Sequence, residues 1–213
     1  MAIFNTVYKS FKQWWWQPWA NTIAYLPMKT DLLDHSGSWT TATVSWTVSL
    51  EDWHWYFNGG KIYGSLSSIP TSYTISMWMK ATSLPSHWKT ITCIWQYNTN
   101  SNFWLWLKNT DNRVVYSRRD AEYPNWPIVD TTNWYLVTIT YTSWTVALYI
   151  NWTYNTGTSS FTTTALWTSD YIISDNTGAN FYWYINDYIV EDKVRTAQEI
   201  ADYYDQTKAN YWL

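Results

Sequence analysis

The acidic side chains of this 213-residue chain do not follow the pattern of a carboxylate pair built for glycoside hydrolysis. Retaining hydrolysis needs two carboxyl groups about 5 Å apart, on either side of the scissile bond. A Glu-x-Asp-x-Glu run would place such groups on one face of a strand, because alternate residues of a strand point the same way. The chain contains no such run, and Glu199 has the spacing of a helix-capping residue instead. We therefore predict that the protein is not an enzyme.

The histidines and serines give no stronger sign of catalysis. His35, His54 and His87 are far apart and include no i, i+4 pair of the kind that binds transition metals. We interpret each of them as a surface or turn residue. The chain also lacks the Gly-x-Ser-x-Gly motif of a nucleophilic serine. A hydrolase hypothesis would have to use Glu51 or Glu122.

The best candidate for recognition is a polar, aromatic segment between residues 116 and 123. Guanidinium planes and aromatic rings in one loop can hydrogen-bond to a sugar, stack on it, or pack against a protein partner. The ordinary alternative is a solvated loop. The predicted ligand-binding residues are Tyr116, Arg118, Arg119, Asp120 and Tyr123.

Composition excludes several classes of protein. The chain is 46% hydrophobic and 14% charged, with a net charge of −3, which is typical of a globular domain. Arg118 and Arg119 form the only basic cluster, so we predict no nucleic-acid partner. Thr, Ser or Asn interrupts every apolar stretch well before the roughly 18 residues that a membrane helix needs.

Short alternating segments predict an all-β protein. They are rich in Thr, Tyr and β-branched residues and are separated by turn-like clusters, which indicates an antiparallel two-sheet β-sandwich. The predicted strands are Tyr73–Lys80, Lys89–Tyr97, Asn102–Lys108, Arg113–Arg118, Trp134–Thr142, Thr145–Asn151, Tyr171–Ser174 and Phe181–Val190. One short C-terminal helix is predicted, because Thr196 and Glu199 form a capping box before the apolar residues Ile200, Tyr203 and Tyr204.

Tryptophan stands where turns normally use glycine. The chain has 20 Trp and 6 Gly, whereas ordinary usage would give about 15 glycines. Ser143–Trp144, Asn151–Trp152 and Asp52–Trp53 occupy positions where Ser-Gly, Asn-Gly and Asp-Gly are expected. Trp78 and Trp134 differ, since each lies inside a strand-like run where an aromatic residue belongs.

Two explanations of this pattern remain open. In the first, most of the tryptophans are UGA codons that the organism reads as glycine, and only Trp78 and Trp134 are native. Glycine would then rise from 6 to 24, an ordinary number for a turn-rich protein. In the second, the tryptophans form a real binding surface, with Trp104 and Trp106 as a strip that stacks on sugars. The codons of the gene at these tryptophan positions decide between the two explanations.

Six segments between Ile23 and Gln206 resemble, in the right order, the laminin-G-like, concanavalin A-like jelly-roll family. Tyr73–Lys80 is similar to the strand F-T-I-S-x-W-V-K of that family, and Val146–Trp152 is similar to V-x-L-Y-V-N-G, with Trp152 at the glycine. The other similar segments are Tyr56–Gly60, Trp134–Tyr141, Trp183–Val190 and Arg195–Ile200. Asn186 departs from the family pattern, which usually has Asp at that position.

The resemblance implies a concanavalin A-like jelly roll and brings calcium into consideration. Sandwiches of this family often bind calcium at their loops, and the candidate oxygen ligands are Asp31 with Asp34, or Asp170 with Asp175. Acidic loops are common without a metal, so both interpretations stay open. No other cofactor is predicted.

We expect residues 1–22 to form an N-terminal arm with a glycine-like linker and residues 23–213 to form the sandwich. The chain shows no export signal at its start. The leading hypothesis is a phage virion or tail-associated protein that docks through residues 1–13, as a virion component or homo-oligomer, and contacts a glycan or a neighbouring subunit. It places the protein on the virion or outside the cell. The alternatives are a bacterial cell-surface carbohydrate-binding adhesin module and, third, a glycoside hydrolase or lyase.

Overall fold

The computed structural model describes residues 20–27, 33–37, 42–45, 48–66, 68, 70–83, 89–94, 103–108, 112–118, 121–122, 128–142, 145–155, 170–174 and 182–213. Within these residues the chain forms fifteen strands and one α-helix. The strands are β1 Thr22–Leu26, β2 Ala42–Ser45, β3 Val48–Glu51, β4 His54–Asn58, β5 Lys61–Ser65, β6 Tyr73–Ala81, β7 Lys89–Ile94, β8 Phe103–Leu107, β9 Val114–Arg118, β10 Ala121–Glu122, β11 Tyr135–Thr142, β12 Thr145–Ile150, β13 Thr153–Asn155, β14 Asp170–Ile173 and β15 Tyr182–Glu191. Helix α1 spans Ala197–Thr207, and a 3₁₀ helix follows at Lys208–Tyr211.

The strands form two antiparallel sheets. The eight-stranded sheet has the order β13-β12-β11-β6-β15-β4-β3, and β1 also pairs with β15. The seven-stranded sheet has the order β10-β9-β8-β7-β14-β5-β2. The two-sheet sandwich with one short C-terminal helix was predicted from the sequence and is confirmed, as are all eight predicted strands.

The main core lies between the inner faces of the two sheets. On β6 the inward residues include Ile75, Met77 and Met79, and Leu105 and Leu107 of β8 belong to the same core. Alternation along each strand explains this set, because every second side chain points to the same face.

Helix α1 covers part of the outer face of the eight-stranded sheet. A second apolar cluster there joins Trp78, Leu136 and Ile189 of the sheet to Tyr203 of the helix and Tyr211 beyond it. The predicted capping box starts the helix: Glu199 N–H donates to Thr196 Oγ1, and Thr196 N–H donates to Glu199 Oε2. The C-terminal segment is therefore fixed on the sheet.

Candidate functional site

A cleft of about 710 Å³ opens on the outer face of the eight-stranded sheet, where coverage by the C-terminal segment ends. Three pieces of chain form its walls: the turn between β3 and β4, the segment that leads into β11, and the last four residues. Side chains of β6 and β15 also contribute. The lining residues are Asp52, Trp53, His54, Lys80, Thr132, Asn133, Trp134, Tyr184, Asn186, Asn210, Tyr211, Trp212 and Leu213.

A β-bulge in β15 brings Asp187 to the outer face, next to Asn186, which faces outward by strand alternation. The register of β15 against β6 shifts between Asn186 and Ile189, and Asp187 in the bulge has a φ of +49°. A bulge adds a residue to one strand and re-aims its neighbours. Asn186 lines the cleft, and Asp187 accepts hydrogen bonds from Tyr25 Oη (3.3 Å) and Tyr211 Oη (2.6 Å).

Asn186 links β15 to the turn between β3 and β4. Its Nδ2 lies 2.6 Å from Nδ1 of His54 and 3.3 Å from the carbonyl oxygen of Trp53. With Nδ2 as the donor in both bonds, Nδ1 of His54 is an acceptor and the ring proton lies on Nε2. Asn186 Oδ1 is buried and accepts no hydrogen bond. The amide therefore holds the turn in place and keeps one acceptor unused.

Closely packed aromatic rings form the wall next to the C-terminal segment. The Trp134 ring centroid lies 4.6 Å from His54 and 4.9 Å from Tyr211, and Tyr211 stacks on Trp78 at 4.2 Å. Burial and the nearby Asp187 carboxylate raise the pKa of Tyr211, so its hydroxyl stays protonated and donates to Asp187. Tyr184 is only partly buried and presents a ring to the cleft.

The described lining of the cleft carries few charged side chains. Asp52 is the only acidic side chain among the described lining residues, and Lys80 is the only basic one. Burial and Glu51 raise the pKa of Tyr184, whose hydroxyl donates to Glu51 Oε2 at 3.4 Å. The cleft thus has one carboxylate in its lining and a second, that of Glu51, bonded to the Tyr184 hydroxyl.

Two of the remaining glutamates have structural partners. Glu191 is buried and forms an ion pair with Arg195, and Glu199 caps helix α1. Glu122 lies in β10, and its side chain is outside the described residues. Among the glutamates with described side chains, Glu51 contacts hydroxyl groups, Glu191 is ion-paired and Glu199 caps the helix.

The predicted binding segment needs one correction. Tyr116 is 2% exposed and belongs to the main core, because it shares the inward face of β9 with Val114. Its ring is therefore not available to stack on a ligand. The backbone of Arg118 pairs with Ala121, whereas its side chain and all of Arg119, Asp120 and Tyr123 lie outside the described residues. For those four residues the binding site stays a prediction.

The calcium candidates are described only in part, since Asp31 and Asp175 lie outside the described residues. Asp34 accepts hydrogen bonds from the backbone N–H groups of Tyr25 and Ser36, both at 2.9 Å, and from Ser36 Oγ at 2.8 Å. Asp170 accepts from Ser65 Oγ at 2.6 Å. The described ranges contain no cluster of three or more His, Cys, Asp or Glu side chains that could hold a metal. Calcium binding stays a prediction.

The sequence did not identify the cleft. His54 was interpreted as a surface or turn residue, Asn186 only as a departure from the family pattern, and Tyr211 was not considered. The signal that was available is the Asp52–Trp53 pair, which predicts a turn immediately before His54. Alternation along β15 places Asn186 on the same face as Tyr184, but the sequence does not show that the C-terminal segment returns to form a wall beside them.

The sequence profile of the concanavalin A-like lectin/glucanases superfamily matches residues 61–201. A search of curated proteins gives no significant match. No helix in the described part of the chain has the length and apolar character needed to cross a bilayer.

Solved structures with the same fold include binding domains of botulinum neurotoxins. The serotype D binding domain is 19% identical with a TM-score of 0.72, over 87% of this chain and 50% of that one. A structure described as showing that cell entry of neurotoxin type C depends on interaction with two ganglioside molecules is 18% identical with a TM-score of 0.69, over 87% and 51%. The DC binding domain in complex with SialylT gives the same four values. The chain thus spans about half the length of these structures, and at this identity the likeness shows the fold.

Proposed function

Because this chain belongs to the concanavalin A-like lectin/glucanase superfamily, we propose that it is a non-catalytic glycan-binding protein whose cleft holds one or two sugar rings. The observation that carries the proposal is the lining of the cleft. It combines the rings of Trp134 and Tyr184 with amide, hydroxyl and imidazole groups, and it has one acidic side chain.

Sugars present apolar C–H faces and a rim of hydroxyl groups, and this lining is complementary to both. An aromatic ring packs against the C–H face, while Asn133 and Asn210 can donate to and accept from hydroxyl groups. A volume of about 710 Å³ is in the range of small-ligand sites. The shortage of acidic groups disfavours the alternative of a glycoside hydrolase or lyase.

The neurotoxin structures support the proposal through their fold. One of them is described with two ganglioside molecules and another in complex with SialylT. Since this chain covers only about half of each of them, no residue of a ganglioside site is transferred to it.

The finer hypothesis is that the protein belongs to a phage virion or tail and meets a host glycan or a neighbouring subunit there. It rests on the sequence alone, and residues 1–13, the proposed docking arm, lie outside the described residues. Capsid or tail genes beside this gene would favour it, whereas a sortase or secretion gene would favour the cell-surface adhesin.

The test is binding to a panel of glycans, followed by calorimetric titration of the best ligand with the unmodified chain and two tyrosine variants. We expect Tyr184→Ala to weaken binding about five- to tenfold, because a sugar loses its accessible aromatic face. Tyr154→Ala is the matched control, since Tyr154 is 40% exposed on β13 of the same sheet and does not line the cleft.

Three results would contradict the proposal: no binding to any glycan, equal loss in both variants, or turnover of a glycan that disappears on Glu51→Gln. Circular dichroism of each variant keeps loss of fold apart from loss of binding.

A further inference from the structure

Two tryptophans in the lining of the cleft have backbone conformations that suit glycine. Trp53 has a φ of +67° and follows Asp52, with a φ of +47°, in the two-residue turn between the paired residues Glu51 and His54. A hairpin turn with two positive φ angles is the geometry that Asp-Gly and Asn-Gly sequences favour. Trp212 has a φ of +62° directly after the 3₁₀ helix, where a chain leaving a helix commonly uses glycine.

The other described residues with positive φ show how unusual these two are. Apart from glycine they are Asp, Asn or Ser, whose short polar side chains are more compatible with this conformation than an indole is. They are Asp52, Asn112, Asn151, Ser174 and Asp187. Trp53 and Trp212 are the only bulky residues of the set within the described ranges.

The two indole rings also gain little from folding. Trp53 is 70% exposed and Trp212 is 91% exposed. Trp78 and Trp134, by contrast, are buried, and the indole N–H of Trp78 donates to Thr207 Oγ1 at 3.1 Å. Native tryptophans are buried on average and their N–H finds a partner, which describes Trp78 and not Trp53 or Trp212.

We propose that positions 53 and 212 are glycine in the protein that its own host makes, and that bare backbone therefore bounds the cleft on two sides. The glycine assignment itself does not depend on the proposed function. What it implies for ligand binding in the cleft rests on that function. The proposal is limited to these two positions. Trp152 is exposed but is not among the positive-φ residues, and Trp183 is buried with its ring edge against Phe57.

Glycine at position 53 leaves the polar network of the cleft intact. Asn186 donates to the backbone carbonyl oxygen of residue 53, which is present whatever the side chain is. The hydrogen bond between Asn186 and His54 does not involve the indole. The genuine aromatic faces would then be Trp134, Tyr184 and Tyr211. The exposed rings at 53 and 212 would not belong to the sugar site.

The decisive experiment is peptide mass spectrometry of the protein isolated from the cells or particles that produce it. We expect glycine at 53 and 212 and tryptophan at 78, which serves as the internal control. Tryptophan at either 53 or 212 overturns the proposal for that position, whatever the protein binds.

A second measurement uses the chain made with the printed sequence. Trp53→Gly and Trp212→Gly should each raise the melting temperature by about 2–4 °C, because they relieve an unfavourable backbone conformation. Trp134→Gly, the control at a buried tryptophan, should lower it. An unchanged or lower melting temperature for both glycine variants contradicts the backbone argument.

Glycan titration separates this inference from the proposed function. The double glycine variant should bind at least as tightly as the printed chain, and Tyr184→Ala should bind more weakly. Binding that is lost in the double variant shows that the indoles belong to the site and overturns the inference. If neither chain binds any glycan, the proposed function fails while the mass spectrometry still decides the residue.

Discussion

Replacing Trp78 by phenylalanine tests whether helix α1 is held on the sheet as the structure describes. Trp78 is fully buried on the outer face of β6 and stacks on Tyr211 at 4.2 Å and on Tyr204 at 5.7 Å. Its indole N–H donates to Thr207 Oγ1, whose own hydroxyl donates to the carbonyl oxygen of Tyr203. Phenylalanine keeps a stacked ring but loses the hydrogen bond and part of the ring.

The expected cost follows from these two losses. The hydrogen bond contributes about 1 kcal/mol, and the smaller ring leaves a void that costs roughly 1–2 kcal/mol at a fully buried site. The free energy of unfolding should therefore fall by about 2–3 kcal/mol, and the melting temperature by about 5–10 °C for a chain of this size. Calorimetry and urea unfolding followed by far-ultraviolet circular dichroism both measure the change.

Trp55→Phe provides the matched control. The indole N–H of Trp55 is buried and has no hydrogen-bond partner, so the same substitution there removes a desolvated donor and breaks no bond. We expect a loss of less than about 1 kcal/mol for Trp55→Phe. Equal losses in the two variants, or no loss for Trp78→Phe, would refute the assigned hydrogen bond and the docking of the helix through it.

Two further predictions concern the charges around the start of the helix. Burial raises the pKa of Glu199, but hydrogen bonds from Lys193, the Thr196 N–H and Arg195 outweigh it and lower the pKa from 4.5 to about 2. Glu199 should thus contribute stability above pH 4.5 that is lost as the pH falls to 2, and Glu199→Gln should remove that part of the acid unfolding curve. Glu191→Gln should lower the free energy of unfolding, measured by urea unfolding, by roughly 3–5 kcal/mol, because it leaves buried Arg195 without its main counter-ion. The double variant Glu191→Leu with Arg195→Met should recover much of that loss. If the double variant loses as much stability as Glu191→Gln, the unpaired charge of Arg195 is not the cause of the loss.

Strand alternation made most of the sandwich predictable. Segments such as Tyr135–Thr142 and Tyr182–Glu191 have strong β propensity, and the capping box at Thr196 marks the start of the only α-helix in the described ranges. Strands β3 and β4 were not predicted as strands. Strand β4 contains three consecutive aromatic residues, Trp55, Tyr56 and Phe57, so it shows no alternation of apolar and polar residues.

The cleft was not predictable for a different reason. Tyr116 was predicted to bind a ligand because an aromatic ring can stack on a sugar. It lies two residues after Val114 on β9, so both side chains point into the core. Asn186 faces outward with Tyr184 by simple strand alternation, and only Asp187 owes its outward position to the bulge in β15, which the sequence does not specify. Tyr211 reaches the cleft because the chain returns over the sheet after α1, which is a tertiary contact.

The outer face of β6 shows why the stability of the helix and the shape of the cleft depend on each other. Along that face Thr74, Ser76 and Trp78 lie buried beneath the C-terminal segment, and the next outward residue, Lys80, lines the cleft. Trp78 supports Tyr211 from below, and Tyr211 is the ring that separates the covered face from the open cleft. A change that loosens the helix must move this wall. A variant such as Trp78→Phe should therefore weaken glycan binding although residue 78 is not in the cleft lining, whereas Tyr154→Ala, on β13 of the same sheet and outside the lining, should not.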